Sequence, residues 1–200
     1  ECGSGSLYDT AMAVRWAAGG QVSDLDVVDK TADIIHLSLG SEVVCPVYMQ
    51  EAVDFAISQG SIVVAASGNR TTDVKNNAPA NCEGVISVGA VNNVTADISY
   101  YSNYGETLTI SAQGDKIRSF ANIRSDSGET TSKYGDWGGT SFAAPVVSGI
   151  YGLVKSHAPS VPNEVLHALA TRTAKELTGA GCETYGCGAG IIDAKAFMDS

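Results

Sequence analysis

The residues best suited to chemistry lie in Gly139-Thr140-Ser141-Phe142-Ala143-Ala144-Pro145, where a serine stands at the first turn of an apolar stretch running to Val154. If that stretch is helical, its first N–H groups lack intrahelical partners and its dipole presents a positive end, so negative charge developing beside Ser141 is stabilised. That suits a nucleophile in acyl transfer. The placement equally suits Ser141 or Thr140 as an ordinary helix N-cap, and helix grammar alone does not separate the two readings. A second candidate, Asn69, follows Gly68 at the end of the apolar run 61–67 (SIVVAAS). An amide N–H fixed at a strand end can meet charge that appears only in a transition state. Asn after Gly is also a common turn residue. The histidines, His36, His157 and His167, fall within an apolar strand, at a helix end and within a late helix. His36 reads as a buried, hydrogen-bonded structural residue.

The elements around these residues alternate strand and helix. Residues 7–18 set Ala11, Val14, Ala17 and Ala18 at helical spacing and stop at Gly19-Gly20. Residues 33–39 (DIIHLSL) read as a β-branched strand closing at Gly40, and Pro46 opens a helix through Ala52, Val53, Ala56 and Ile57 to Gly60. Runs 61–67 and 85–91 (VISVGAV) are apolar with little alternation, the pattern of parallel strands covered on both faces. The expected fold class is α/β: a doubly wound, mostly parallel sheet with helices on both faces. Residues 92–139 read as loop-rich, with a short strand at 107–112. Residues 142–154, almost wholly apolar or small with Pro145 early, are expected as a helix buried on all sides, followed by another helix over 163–177.

Composition narrows the function. The 200 residues, 44% hydrophobic and 17% charged, suffice for one domain with a sizeable core. With 22 glycines and 7% aromatic residues, tight turns are numerous and loops are expected to carry the function. A net charge of −10, a pI near 4.6 and the absence of any Lys/Arg cluster leave no face to neutralise phosphates, so nucleic acid is excluded as a partner. Apolar stretches such as 34–39 and 61–66 are strand-length and too short to cross a bilayer, so no membrane segment is expected. Cysteines at 2, 45, 82, 182 and 187 include no Cys-x-x-Cys pair, which argues against zinc and thioredoxin-like chemistry. An oxidising compartment fits them better than buried cytosolic thiols. Cys182 and Cys187 close too small a ring for chelation by two thiolates alone, so a local disulfide is expected. The chain begins at Glu1 without a signal-peptide pattern, as a processed product would.

GTSFAAP resembles the serine signature of the subtilisins, Gly-Thr-Ser-x-Ala-x-Pro, at every fixed position. Four further segments resemble subtilisin blocks in the family's order. GSGSLYDTAMAVRWA is similar to the substrate-binding loop and the helix after it, DIIHLSLG to the next core strand and its substrate-binding end, SIVVAASGN to the strand ending in the oxyanion asparagine, and GAGIIDAKAF to the start of the C-terminal helix. The resemblance spans essentially the whole chain. It implies that residues 1–200 are the C-terminal part of a single subtilisin-like catalytic domain, with the sheet incomplete at its N-terminal side. It also implies Ser141 as nucleophile and Asn69 as oxyanion donor. Gly3-Ser4-Gly5 and Ser38-Leu39-Gly40 would be the two backbone edges between which an extended peptide lies as an added strand. Ala65, Ala66 and Ser67, with Asn77 and Ala80, would line the pocket for the side chain before the cut bond.

Subtilisins place an aspartate, in an Asp-x-Gly segment, and then a histidine, in a His-Gly-Thr segment, ahead of the serine. Neither family segment stands in its place here. The resemblance therefore implies a secreted serine endopeptidase acting on proteins or peptides through an acyl-enzyme, with this chain supplying nucleophile, oxyanion donor and much of the groove. The catalytic Asp and His would come from an N-terminal chain of the same enzyme. Structural calcium is implied by the resemblance alone, without assignable ligands; Asp73, Glu83 and Asp97 are acidic loop candidates. A Cys45–Cys82 pair resembles a disulfide of secreted bacterial subtilisins. With 182 joined to 187, Cys2 is left for a cysteine in the missing segment. The alternatives are a non-catalytic subtilisin-like interaction module and a sedolisin-type acid peptidase, which uses an aspartate where AASGN offers Asn69. No Gly-x-Ser-x-Gly occurs, which disfavours an α/β-hydrolase.

Overall fold

In the strand over residues 62–66 Ile62, Val64 and Ala66 turn to one face, Val63 and Ala65 to the other, and all of them are buried. A strand with no polar side can exist only between two layers, and the computed structural model, which describes residues 5–92, 94–95, 97–124 and 130–200, has both. Cys2, Gly3 and Ser4 lie outside the described residues. The elements in chain order are α1 (Leu7–Ala17), β1 (Ile34–Leu37), α2 (Val47–Ser58), β2 (Ile62–Ala66), β3 (Ile86–Asn92), β4 (Asp97–Ile98), β5 (Ile110–Gln113), β6 (Ile117–Arg124), β7 (Thr130–Trp137), α3 (Thr140–His157), α4 (Asn163–Thr173), α5 (Ala180–Tyr185) and α6 (Ala194–Met198). β1, β2, β3 and β5 run parallel, in the registers Ile35↔Val63, Val64↔Ile86 and Val88↔Ile110, and β4 is antiparallel to the end of β3. This is the doubly wound α/β sheet expected from the apolar strands.

One layer packs Ala143, Ala144, Val147 and Tyr151 of α3, with Leu166 and Ala170 of α4 and Phe197 of α6, on Val64, Val88, Ala90 and Ile110. The small residues of α3 let its backbone approach the sheet, and each large aliphatic chain so buried contributes about 1.5–3 kcal/mol. Tyr151 is the largest fully buried side chain in this layer, its ring edge-on to Phe197 at 5.2 Å. Ala11 and Val14 of α1 and Met49, Ala52, Val53 and Ala56 of α2 fill the other layer against Ile35, Leu37, Val63 and Ala65. The Cys45–Cys82 disulfide forms in this second layer, joining the segments before α2 and β3, and Cys182–Cys187 closes the end of α5.

Several features depart from the sequence expectations. α3 is not buried on all sides, since Val146 is 40% and Leu153 61% exposed on its outer face. β1 pairs only with β2 among the described strands, so its other edge is open. His36, expected to be buried, is exposed on that edge. Within the loop-rich region, β6 and β7 form an eight-residue antiparallel hairpin from Ile117↔Trp137 to Arg124↔Thr130, with Phe120 and Tyr134 edge-on at 5.4 Å. α4 stops at Thr173, because Ala174 turns extended and Lys175 pairs with Ile191.

Candidate active site

The first turn of α3 meets the C-terminal ends of β1 and β2, which is where open α/β sheets place their ligand sites. Gly139 caps the helix with φ 154° and no side-chain cap bond, so Thr140 and Ser141 are inside the helix and neither serves as its N-cap. Ser141 is half-buried, and its Oγ donates to the Ser38 carbonyl at 3.3 Å. Pro145 has no N–H to give to the Ser141 carbonyl one turn back. The Ser38 hydroxyl donates there instead, at 2.8 Å, and ties the end of β1 to the turn that carries Ser141.

Thr140 orients Asn69. Its backbone N–H and its hydroxyl both donate to Asn69 Oδ1, at 2.8 and 2.9 Å, while its Oγ1 accepts the Gly68 N–H at 3.1 Å. With Oδ1 committed, the N–H bonds of the Asn69 amide are the part left to face a ligand. A Cβ on Gly139 would stand 3.4 Å from Asn69 Nδ2, in van der Waals contact with that amide.

Ser141 and Asn69 share one cavity of about 420 Å³ with Ser38, Leu39, Gly40, Ala66 and Asn77. The expected residues thus split into two groups. Those seven come together, joined by Gly68 and Thr140, with Glu42 and Arg70 facing each other across the mouth at 3.8 Å. Ala65, Ser67 and Ala80 are buried but do not line the cavity, and Gly5 is exposed just before α1. Gly40 is required for close packing: a Cβ there would stand 2.8 Å from Asn77 Nδ2 and 3.0 Å from the Ala78 carbonyl. Asn77 is 4% exposed, and its Nδ2 has no hydrogen-bond partner among the described residues.

His36 reaches the site only through a relay. Its Nε2 lies 2.7 Å from Ser38 Oγ and its Nδ1 3.0 Å from Ser148 Oγ, while the Ser38 hydroxyl bonds the Ser141 carbonyl and not the Ser141 hydroxyl. Partial desolvation lowers its pKa. His167 contacts the Tyr151 hydroxyl at 3.4 Å, and burial lowers its pKa too. Asp136-Trp137-Gly138 has the Asp-x-Gly spelling, but Asp136 sits on β7 in an exposed ion pair with Arg118 at 3.3 Å. No described histidine or aspartate is therefore placed as the general base of Ser141.

Two of the acidic loop residues already have protein partners for their carboxylates. Asp73 caps the turn at Lys75 N and pairs with Lys75 Nζ at 2.9 Å. Burial would raise the pKa of Asp97, but N–H bonds from Gly181, Ile98 and Cys182 outweigh it and lower that pKa, so both carboxylate oxygens are already in use. Glu83 meets Gln50 only through its backbone. The one described cluster close enough to share an ion is Asp97 with Cys182 and Cys187, and those sulfurs are bonded to each other.

Comparison with known proteins identifies the family and the fold. The pattern of the Subtilase family matches residues 2–190. An "Extracellular protease" of Xanthomonas campestris is 42% identical over 98% of the chain, and an "Extracellular basic protease" of Dichelobacter nodosus 33% identical over 100% of it. The chain spans 33% of the length of each of these relatives. Among solved structures, a protease of Pseudoalteromonas arctica superposes with TM-score 0.86 at 34% identity, over 100% of this chain and 60% of that one.

Proposed function

The chain belongs to the subtilase family, and from that premise we propose that it is the nucleophile-bearing part of a secreted serine endopeptidase that cuts proteins through an acyl-enzyme. One observation carries the reading: Ser141 and Asn69 line a single cavity, with Asn69 Oδ1 held by two donors from Thr140. In this reading Ser141 Oγ attacks the scissile carbonyl. Its proton passes to a histidine of the enzyme's N-terminal part, which returns it to the departing amine. The carbonyl oxygen, now negative, meets Asn69 Nδ2–H and the N–H groups of α3's first turn, donors already in place before charge develops. Water then releases the acyl group from Ser141. Ser38, Leu39 and Gly40 offer backbone to an extended substrate, and the cavity beyond takes the side chain before the cut bond.

The open edge of β1 and the exposed Val146 and Leu153 of α3 support a partner segment carrying the missing aspartate and histidine, because an unpaired edge beside an apolar helix face is normally covered. Two disulfides, and relatives named as extracellular, support secretion. Asn69, where the acid peptidases use aspartate, favours the serine-histidine chemistry of neutral pH.

The test is hydrolysis of a peptide substrate by the complete enzyme at pH 8 and at pH 4. Activity is expected at pH 8 and lost by about 10⁴-fold or more in Ser141→Ala. Undiminished hydrolysis by Ser141→Ala, or activity confined to pH 4, overturns the reading.

A further inference from the structure

We propose that Asn103 is the positioning residue of the oxyanion donor, holding the turn that carries Asn69 against the first turn of α3. The inference rests on the protease reading and adds to it a residue outside the cavity. Asn103 is 0% exposed, and its amide is spent on that turn from both sides. Nδ2 donates to the Ser67 carbonyl at 2.8 Å, just before Asn69. Oδ1 accepts the N–H of Arg70 at 3.0 Å and of Thr72 at 3.2 Å, just after it, and the Thr72 hydroxyl at 3.3 Å. Its backbone N–H donates to the Gly68 carbonyl at 2.9 Å. One side chain thus brackets Asn69 at Ser67, Arg70 and Thr72.

Two further observations point the same way. Gly68 has φ +104°, and a Cβ there would collide with Asn103 Nδ2, so the glycine before the oxyanion residue is dictated by how closely Asn103 approaches. The turn is also strained: Thr71 has φ 55°, costly for a β-branched residue. It stays there because Thr71 bonds the carbonyls of Tyr101 and Tyr100, the residues leading into Asn103. This bracing segment is fixed to the sheet, with Ser99 N donating to the Ala90 carbonyl at 2.8 Å and Ser102 Oγ accepting Ala90 N at 3.0 Å. Position therefore passes from the buried strand β3 through Asn103 to Asn69, whose amide must meet an oxygen displaced only in the transition state. Without the brace the turn can relax out of its strained form. A shift of about 1 Å in such a donor is enough to forfeit much of its effect.

The experiment compares Asn103→Ala and Asn103→Ser in the complete enzyme, each with and without Asn69→Ala. It measures kcat and KM on a short peptide, normalised to active sites titrated exhaustively with a fluorophosphonate. The expected result for Asn103→Ala is a kcat lower by about 10- to 100-fold with KM within about 3-fold, Asn103→Ser lying between it and the unsubstituted enzyme. In the Asn69→Ala background the same change is expected to cost less than about 3-fold, because the donor it positions is gone. A residue that only supports folding would lower the number of titratable sites and leave kcat per site unchanged. That outcome, or a full additional loss in the Asn69→Ala background, overturns the proposal. If Asn103→Ala gives no titratable sites, Asn103→Ser decides by the same criteria. An unsubstituted enzyme that neither titrates nor hydrolyses would overturn the protease reading itself.

Discussion

Replacing Thr140 by valine isolates the contact that orients Asn69. The hydroxyl accepts the Gly68 N–H at 3.1 Å and donates to Asn69 Oδ1 at 2.9 Å, within a residue that is fully buried. Valine keeps the volume and the β-branch, so packing is preserved and only these two bonds are lost. The backbone bond from Thr140 N to Asn69 Oδ1, 2.8 Å, remains. On stability, leaving the half-buried Gly68 N–H without its acceptor costs about 1–3 kcal/mol, or about 2–12 °C in Tm for a domain of this size. On catalysis, the amide keeps one of its two anchors, so the loss is smaller than that of deleting the donor. Deletion costs about 10²–10³ in turnover, a range for which a subtilisin is itself the measured example. We therefore expect kcat to fall by about 3- to 30-fold with little change in KM. Thr140→Ser, which keeps the hydroxyl, is expected to restore most of it. The assay is kcat per titrated site in the complete enzyme, alongside calorimetric Tm. An unchanged kcat per site in Thr140→Val, or Thr140→Ser no better than valine, would refute the reasoning.

Asn69→Ala is expected to lower kcat by about 10²–10³ while KM moves only a few-fold, since its strongest bond is to the transition-state oxygen; a KM rise at constant kcat would mean that it merely shapes the turn. Chain-entropy arithmetic gives the Cys45–Cys82 bridge, with a separation of 37 residues, about 4 kcal/mol, and the Cys182–Cys187 bridge, with a separation of 5, about 2 kcal/mol, so denaturant unfolding of variants with one pair or the other replaced by alanine is expected to rank them in that order. Free thiol at any of the four before reduction would contradict both. The lowered pKa of Asp97 contributes stability that is present above the unfolded carboxylate range and lost as pH falls through the folded value. Asp97→Asn is thus expected to lower Tm at pH 7, with the gap closing below about pH 4; a gap that persists at low pH would show that packing, and not charge, is responsible.

Much of this architecture was legible in the residues because both faces of the sheet are covered. Val63 and Val64 can be apolar together only in a strand with helices above and below, and the periodicity of 61–67 says as much. Ser141 and Asn69 were legible from their motifs. The hairpin β6–β7 was not, because nearly every residue of β7 faces solvent and no apolar alternation marks it. The bracing of the site was hidden for a different reason. Asn103 and Thr140 act on the Asn69 turn from more than thirty and more than seventy residues away, and nothing local distinguishes them from a loop amide and a cap hydroxyl. The outer face of α3 reads as core because Val146 and Leu153 are core-type residues; what would cover them is not among the described residues.

Covalent labelling of the native enzyme with a fluorophosphonate, followed by mass mapping of the adduct, tests the central claim most directly. The account predicts one adduct, on the Ser141 hydroxyl, formed by folded enzyme and absent from both the denatured protein and Ser141→Ala. Folded, intact enzyme that carries no adduct, or carries it at another residue, would contradict the account.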